Sequence, residues 1–313
     1  MKNETTNFDG LRFGNKVVEF EDPKQLPKND EQRRQWQAAN KAWWEASPMR
    51  YDWREELAPT LGDKSYFEEV DRRFLSSARK YTPPQKLPFD RIIPFAKIAG
   101  KDVLEIGVGQ GTHAQLIAPR CRSYTGIDLT GHAVAMTSKR LALFGIPGRV
   151  LQMDAEEMKF PDNSFDYIWS WGVIHHSADT RRVLTEMRRV LRTGGSATVM
   201  VYYRSWWCFY ICGLLRRIFL RQFRHGQSLH SIAQGATDGA IARYYLRGEW
   251  HDIVDGLFRV KSTRIFGLKT EVFPFPHGRL KSLLESLVPD AVTRFMTNQL
   301  RMGTFLVADM EPV

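Results

Sequence analysis

The sequence predicts an α/β protein built around one mostly parallel β-sheet, and two observations lead to that prediction. From Asp102 onward, short apolar runs alternate with stretches of helical periodicity, which is the pattern of βαβ units. The first apolar run ends in a glycine-rich turn that opens a helix, as at the carboxyl end of a parallel strand. The runs are DVLEIG, SYTGID, RVLQMD, FDYIWSW and SATVMVY. We therefore expect five successive strands joined mainly by helices, in a core that spans residues 96–203.

The segment before this core, residues 1–95, is expected to be a helical arm. Helical periodicity predicts helices over Glu31–Ala46 and Tyr66–Lys80, and the prolines around them predict their ends. The arm is rich in aromatic residues, which are Trp36, Trp43, Trp44, Tyr51 and Trp53. Such a density of rings either caps a pocket or staples the arm onto the core. The two interpretations are compatible, and the sequence does not choose between them.

Within the core, the last helix is predicted over Thr180–Leu191. Apolar side chains recur there on one helical face, and Gly194 and Gly195 follow where a C-cap is expected. Two further strand-like runs, Phe258–Phe266 and Thr304–Asp309, lie in the C-terminal part, residues 249–313. These runs are expected to complete the sheet, which brings the predicted total to seven strands.

Residues 204–248 interrupt the pattern after the fifth strand and are expected to be a basic, amphipathic helical insertion. The stretch from Arg204 to Thr237 has no acidic residue, and its arginines are Arg204, Arg216, Arg217, Arg221 and Arg224. An apolar stripe runs beside them and consists of Trp206, Phe209, Tyr210, Leu214 and Ile218. Three interpretations stay open: a lid over an apolar ligand, an anchor at a membrane surface through 204–224, and an ordinary insertion packed on the sheet.

Composition limits the class of protein. The chain has 313 residues, with 43% hydrophobic and 26% charged, which excludes a wholly disordered or low-complexity protein. No apolar run reaches the length of about 18 residues that a membrane-spanning helix needs. The opening MKNETTNFDG has no apolar region typical of a signal peptide, so a cytoplasmic location with reduced cysteines is expected. The net charge of +10 suggests an acidic partner but says nothing about the fold.

The most informative motif is VLEIGVGQGT, from Val103 to Thr112. An apolar strand carries Glu105 near its end and leads into three glycines spaced by one residue each. Glycines are needed where a backbone turns sharply and a ligand approaches closely. The third glycine comes one position earlier than in the dinucleotide fingerprint, and Thr112 stands where that fingerprint has glycine. A carboxylate before the turn disfavours a pyrophosphate and suits a cationic cofactor.

Acidic residues follow the next strands at the points where those strands are predicted to end. Asp128 ends the second run, and Asp154 and Glu156 follow the third. A single carboxylate at a strand end often caps the following helix. Because the carboxyl ends of parallel strands meet at one edge of a sheet, these residues together with Glu105 predict one acidic crevice.

The region from Lys101 to Tyr202 resembles class I S-adenosylmethionine-dependent methyltransferases. Its nearest likeness is to the small-molecule branch that includes ubiquinone and menaquinone C-methyltransferase-like enzymes. The glycine turn, Asp128, the Asp154-Ala155 pair and the run FPDNSFD occur in the family's order and spacing. The resemblance implies a Rossmann-like, seven-stranded, mostly parallel sheet with helices on both faces. It also implies S-adenosylmethionine as cofactor and S-adenosylhomocysteine as product.

Carried over to this sequence, the resemblance assigns most of the crevice to the cofactor. It implies that the methionine part is surrounded by Glu105, Gly107, Val108, Gly109, Gly111, Ser170 and Trp171. Glu105 would hold the loop and the ammonium end. Asp128 would accept hydrogen bonds from the ribose hydroxyls, and Leu129 would pack on the adenine. Asp154 would accept from the adenine amino group, the Ala155 amide would donate to the ring, and Glu156 belongs to the same set.

Methyl transfer is an in-line displacement, so alignment and exclusion of water matter more than acid–base groups. A hydroxyl or carbon acceptor must nevertheless lose a proton, and His175 and His176 follow the fourth strand where a base is wanted. One of them commonly serves a structural hydrogen bond in this family. Tyr51 is a further candidate for the catalytic set. Weaker candidates for orienting the acceptor are Tyr202, Tyr203 and Tyr244.

The function predicted from the sequence is methyl transfer to a small-molecule acceptor, such as a natural product or another secondary metabolite. Two alternatives stay open: methylation of RNA or protein through the basic insertion, and a catalytically silent partner subunit that binds the cofactor. Nucleic acid is the less favoured partner, because no zinc-knuckle, RRM or KH pattern is present and the arginines are not interleaved with exposed glycine or serine. No metal site is predicted, since the histidines and cysteines lack ligand spacing. A monomer and a homodimer are both compatible with the sequence.

Overall fold

The core of the molecule is one sheet, seen in a computed structural model that describes residues 16–17, 20–51, 60–219, 228–275 and 278–313. In these residues the strand order is β3-β2-β1-β4-β5-β8-β7, and β6 pairs with β5 beside this path. The strands are β1 (Asp102–Ile106), β2 (Ser123–Asp128), β3 (Arg149–Gln152), β4 (Phe165–Trp171), β5 (Leu191–Tyr203), β6 (Tyr244–Tyr245), β7 (Phe258–Phe266) and β8 (Phe305–Pro312).

The first five strands are parallel, and β8 is antiparallel to both β5 and β7. The predicted mostly parallel sheet is therefore confirmed, and the short β6 is added to the seven strands expected. β1 lies between β2 and β4, so the chain leaves β1 toward one edge of the sheet and later returns to the other side. Such a switch point opens a crevice at the carboxyl ends of the strands, which is where ligands bind in open α/β sheets.

Helices cover both faces of the sheet. They are α1 (Asp30–Ala46), α2 (Lys64–Tyr81), α3 (Phe95–Ile98), α4 (Thr112–Ile117), α5 (Gly131–Leu143), α6 (Thr180–Val190), α7 (Gly213–Phe219), α8 (Leu229–Gly235), α9 (Arg247–Val254), α10 (Arg279–Leu287) and α11 (Asp290–Arg294). On one face α6 and α9 pack on Ile168, and on the other face α2 and α4 pack on the side of Trp169. Neighbouring residues of β4 thus belong to opposite cores, because strand side chains alternate.

The predicted C-cap of the last core helix was wrong. α6 ends at Val190, where the Leu191 backbone N–H donates to the Met187 carbonyl, and β5 begins at once. Gly194 and Gly195 lie inside β5. A Cβ at Gly195 would lie 2.8 Å from the Asp166 carbonyl oxygen, so that glycine permits a close approach between backbones.

The arm lies across the carboxyl ends of β2 and β3 through polar contacts of α1. Arg33 donates to the carboxylate of buried Glu156 over 3.0 Å, and Gln37 Nε2 donates to Asp154 over 2.8 Å. Glu45 accepts hydrogen bonds from the backbone N–H groups of Gly131 and His132 at the start of α5. The arm is therefore fixed to the same edge of the sheet at which the acidic crevice was predicted. Trp53 lies outside the described residues.

The insertion begins directly after β5 as a helical turn of π geometry, Trp206–Cys212, which continues into α7. α8 follows and packs against α7. The predicted residues Arg221 and Arg224 lie outside the described part of the chain. None of the described helices is long and apolar enough to cross a membrane.

Candidate active site

The glycine turn joins β1 to α4 and forms the floor of the crevice. Gly107, Gly109 and Gly111 all have positive φ, at 81°, 52° and 78°. A Cβ at Gly107 would lie 2.1 Å from Val173 Cγ2, whereas a Cβ at Gly109 would meet no atom within 4 Å. Gly107 is therefore required by packing, and the backbone at Gly109 faces open space where a ligand can approach.

Asp128 ties the end of β2 to the glycine turn. Its Oδ1 accepts hydrogen bonds from the Thr130 backbone N–H and hydroxyl, and its Oδ2 accepts one from the Gly109 N–H over 3.2 Å. Burial raises the pKa of Asp128, and these three hydrogen bonds oppose that shift. Each carboxylate oxygen has two lone-pair sites, so Oδ2 of Asp128 keeps the capacity to accept one further hydrogen bond in the crevice.

Glu105 does not reach the crevice. Its side chain is 1% exposed and accepts a hydrogen bond from the Tyr124 hydroxyl over 2.7 Å, with His113 Nδ1 at 4.0 Å. Glu105 shares a face of β1 with Val103, and that face packs on α4. Burial raises the pKa of Glu105 to about 8. The structure thus places Glu105 beneath the glycine turn.

Several other predicted residues support the crevice without lining it. The Asp154 carboxylate accepts from Gln37 and from the Glu156 N–H, and Glu156 pairs with Arg33. The Ser170 hydroxyl is fully buried and donates to the Ile106 carbonyl. These residues fix the arm and the strands to one another. At the end of β3 the crevice is lined instead by Met153 and Ala155. Gly111 also lies outside the lining.

A cavity of about 2120 Å³ opens from this crevice and continues beneath the arm and the insertion. It is lined by nine of the predicted residues: Tyr51, Gly107, Val108, Gly109, Asp128, Leu129, Ala155, Trp171 and His176. Pockets for one small ligand usually measure about 300–1,000 Å³. The cavity is therefore large enough for a cofactor and a second molecule beside it.

The two adjacent histidines differ in their surroundings. His176 Nδ1 lies 2.6 Å from the Ile241 carbonyl oxygen, which assigns the ring proton to Nδ1 and leaves Nε2 as a lone-pair acceptor. Nε2 has no hydrogen-bond partner among the described residues, and the ring lines the cavity. Burial lowers the pKa of His176 to about 3, so its imidazole is neutral at pH 7. Of the predicted bases, His176 alone combines a cavity position with an open imidazole nitrogen among the described residues.

His175 does not line the cavity. Its ring is fully buried and packs 4.0 Å from the Tyr202 ring, measured between centroids. Burial also lowers the pKa of His175 well below its usual value. Its backbone carbonyl accepts a hydrogen bond from the Arg243 N–H, which holds the segment before β6 against the end of β4. These contacts describe a packing residue.

The part of the cavity away from the glycine turn is aromatic. Tyr202, Tyr203 and Tyr244, the weaker candidates, all line it together with Tyr51 and Trp171. The Tyr202 and Tyr244 rings stack with centroids 5.5 Å apart. We call this part the aromatic chamber. In the arm, Trp44 lines the cavity, whereas Trp36 and Trp43 are buried. The arm therefore both caps the cavity and packs against the core.

Two carboxyl groups of the aromatic chamber were missed by sequence reasoning. Burial raises the pKa of Glu271 to about 7 and that of Asp238 to about 6. Glu271 accepts hydrogen bonds from the Thr304 N–H over 3.0 Å and from the Thr304 hydroxyl over 2.7 Å. Neither residue belongs to a motif or follows a strand of the parallel core, so the sequence offers no local signal for them.

Comparison with known proteins shows which family of domains the core resembles. Residues 104–199 match the family model described as a methyltransferase domain. The chain is 33% identical over 118 residues to phosphatidylethanolamine N-methyltransferase of Cereibacter sphaeroides, which covers 37% of this chain and 58% of that protein. It is 36% identical over 102 residues to fatty-acid O-methyltransferase of Mycolicibacterium smegmatis, covering 32% and 36%. The matches thus span about half or less of these relatives' lengths.

Among solved structures, geranyl diphosphate C-methyltransferase from Streptomyces coelicolor A3(2) shares the fold. The TM-score is 0.54 at 15% identity, and the match covers 92% of this chain and 100% of that one. Residues 104–199 therefore match a methyltransferase domain, as the sequence predicted, and the fold is the Rossmann-like α/β fold. The matches do not distinguish the quinone C-methyltransferase-like branch from other small-molecule branches.

Proposed function

We propose that the protein transfers a methyl group from S-adenosylmethionine to a small-molecule acceptor with an apolar body. The observation that carries this proposal is that one cavity includes both the crevice at the glycine turn and the aromatic chamber. A molecule in the crevice and a second molecule in the aromatic chamber would lie side by side. That arrangement is what an in-line displacement requires.

The residues of the crevice suit the proposed cofactor. Gly109 leaves room for close approach of a ligand, and Asp128 offers its remaining acceptor site, on Oδ2, to a ribose hydroxyl. Leu129, Met153 and Ala155 provide an apolar surface for an adenine ring. We assign no contact with the cofactor to the side chains of Glu105, Glu156 or Ser170, which are engaged elsewhere.

The cofactor supplies an electrophilic methyl group on a sulfonium. An acceptor held in the aromatic chamber would take up that methyl group through its lone pair, and the electron pair of the broken carbon–sulfur bond would stay on sulfur. As the new bond forms, the acceptor atom becomes more acidic and releases its proton. His176 Nε2 takes that proton, and the bond from Nδ1–H to the Ile241 carbonyl holds the ring in the required tautomer.

Two observations support a lipid-like acceptor. The aromatic chamber is lined by tyrosine and tryptophan rings, which favour an apolar body with a polar end. The relatives that match the core include enzymes named for phosphatidylethanolamine and for fatty acids. We therefore propose that the acceptor is a small, lipid-like molecule. Quinones with an apolar tail belong to this class of acceptor, so the proposal is compatible with the quinone-methylating branch.

The test is a transfer assay with S-adenosylmethionine carrying an isotopic methyl label and a lipid extract as acceptor mixture. We expect label in an organic-soluble product, identified by mass spectrometry. Label in precipitated RNA or protein instead would overturn the small-molecule proposal. Absence of any transfer, with intact cofactor binding, would indicate a silent subunit and would also overturn it.

Variants of the two histidines then test the assignment of the base. His176→Gln should lower kcat by at least about 100-fold, the usual scale of general-base loss, with little change in cofactor affinity. His175→Gln is the matched control and should leave kcat within a few-fold, because its ring does not reach the cavity. Equal losses of kcat in the two variants would contradict the role of His176.

A further inference from the structure

Helix α10 has its amphipathic faces reversed. Leu280, Leu283 and Leu287 are 58%, 54% and 67% exposed, whereas Lys281 is 9% exposed. Lys281 and Glu285 line the cavity. A surface helix of a globular protein normally turns its apolar side inward. Here Lys281 and Glu285 face the cavity and the leucines face outward. The helix therefore presents an apolar face on the outside of the protein.

The insertion repeats this arrangement on another side of the cavity. Trp206, Tyr210, Leu214 and Ile218 recur every four residues along the π-helical turn and α7, and each is 40–48% exposed. On the same helix Leu215 and Arg216 line the cavity. The stripe noticed in the sequence is therefore directed away from the core, apart from Phe209, which is buried.

A third segment connects the two. Val292, Phe295 and Leu300 are 47%, 55% and 48% exposed, and they follow α10 directly in the chain. Trp206 Nε1 donates to the Leu300 carbonyl over 2.9 Å, which joins this segment to the insertion. We call these exposed side chains of the insertion, α10 and residues 292–300 the apolar rim.

The charges among these segments indicate what covers the rim. Arg216, Arg279 and Arg301 are exposed within or directly beside it. Across residues 204–219 and 279–287 the sole acidic residue is Glu285, which faces the cavity. Large exposed apolar patches mark interaction surfaces. Leucines with interfacial tryptophan and tyrosine and flanking arginines match an anionic lipid surface, where the arginines reach phosphates.

We propose that the apolar rim docks onto an anionic phospholipid bilayer and seats the cavity against the lipid headgroups. The rim side chains enter the headgroup region, and the cavity then opens toward the membrane rather than toward water. An apolar acceptor would enter the aromatic chamber without crossing the aqueous phase. This last step rests on the proposed function, whereas docking itself does not.

The test is co-sedimentation of the full chain with vesicles, without cofactor or acceptor. We expect binding to vesicles of phosphatidylcholine and phosphatidylglycerol in equal parts, and weaker, salt-insensitive binding to phosphatidylcholine alone. The double variant Leu283→Glu with Leu287→Glu should lower the partition coefficient at least about ten-fold, because it places two charges in the inserted face. Leu143→Glu is the control, since Leu143 is an exposed leucine on α5, outside the rim.

The outcomes separate docking from its competitors. Failure of the wild-type chain to bind anionic vesicles overturns the proposal, as does equal binding by the double variant. Light scattering that shows a dimer, converted to a monomer by the double variant, would make the rim an interface between two copies and also overturn it. Should the double variant fail to fold, Phe295→Glu provides the same comparison. A separate assay measures methyl transfer by the double variant to an acceptor dispersed in detergent. If the double variant keeps this activity, the proposed function stands even where membrane docking is lost.

Discussion

Replacing Gly107 with alanine tests the geometry of the glycine turn most sharply. A Cβ at this position would lie 2.1 Å from Val173 Cγ2 and 2.7 Å from Cγ1, both far inside van der Waals contact. Overpacking of this kind costs about 1–3 kcal/mol. The φ of 81° adds about 1–2 kcal/mol for any residue with a Cβ. We expect Gly107→Ala to destabilise the fold by about 2–5 kcal/mol in total.

The assay is urea denaturation, and Gly145→Ala is the matched control. Gly145 has a φ of 63° with no atom within 4 Å of its Cβ position, so its variant bears the backbone cost alone. The double variant Gly107→Ala with Val173→Ala should be more stable than the sum of the single effects predicts, by about 1 kcal/mol or more. Equal losses at Gly107 and Gly145, together with additive effects at Val173, would refute the contact on which this reasoning depends.

Two further predictions concern buried charge. The pKa of Glu105 is raised from 4.5 to about 8 by burial, so its contribution to stability is full below about pH 4.5 and is lost as the pH rises through about 8. Glu105→Gln should therefore weaken the fall in unfolding free energy between about pH 5 and about pH 9, and parallel curves for variant and wild type would contradict this. Arg33→Met leaves Glu156 buried without its ion-pair partner and should cost about 3–5 kcal/mol in urea denaturation, with faster proteolysis of the arm. Arg72→Met is the control: it removes an ion pair whose arginine is 65% exposed, and should cost less than about 1 kcal/mol. Similar losses in the two arginine variants would contradict the stabilising role of the buried pair between Arg33 and Glu156.

The sheet was predictable because its strands are marked by local patterns. β7 has the predicted bounds, Phe258–Phe266, and α1 and α2 differ from their predicted bounds by at most two residues at either end. The glycine turn and Asp128 were placed at the crevice for the same reason, since a strand, a turn and a helix follow one another there. The C-cap prediction at Gly194 and Gly195 was wrong because a glycine pair after a helix is typical of a C-cap, whereas here β5 begins at Leu191, before the glycine pair.

The orientation of side chains required contacts between distant segments. Glu105 alternates to the face that packs on α4, and nothing in the sequence of β1 says which face that is. His175 and His176 are neighbours in sequence, and the Ile241 carbonyl, 65 residues away, distinguishes them. The leucines of α10 have the spacing of any amphipathic helix, so only the tertiary structure shows that they point outward. The division into four parts, at residues 95, 203 and 248, stays a prediction.

The measurement that tests the central claim most directly is calorimetric titration of the chain with S-adenosylmethionine. The proposed crevice predicts binding with a dissociation constant below about 1 mM, and Asp128→Ala should weaken it by about ten-fold or more, because a charge-assisted hydrogen bond contributes about 1.5–3 kcal/mol. Gly145→Ala is the control and should keep the wild-type affinity. Absence of binding by the wild-type chain, or an affinity that Asp128→Ala leaves unchanged, would contradict the account.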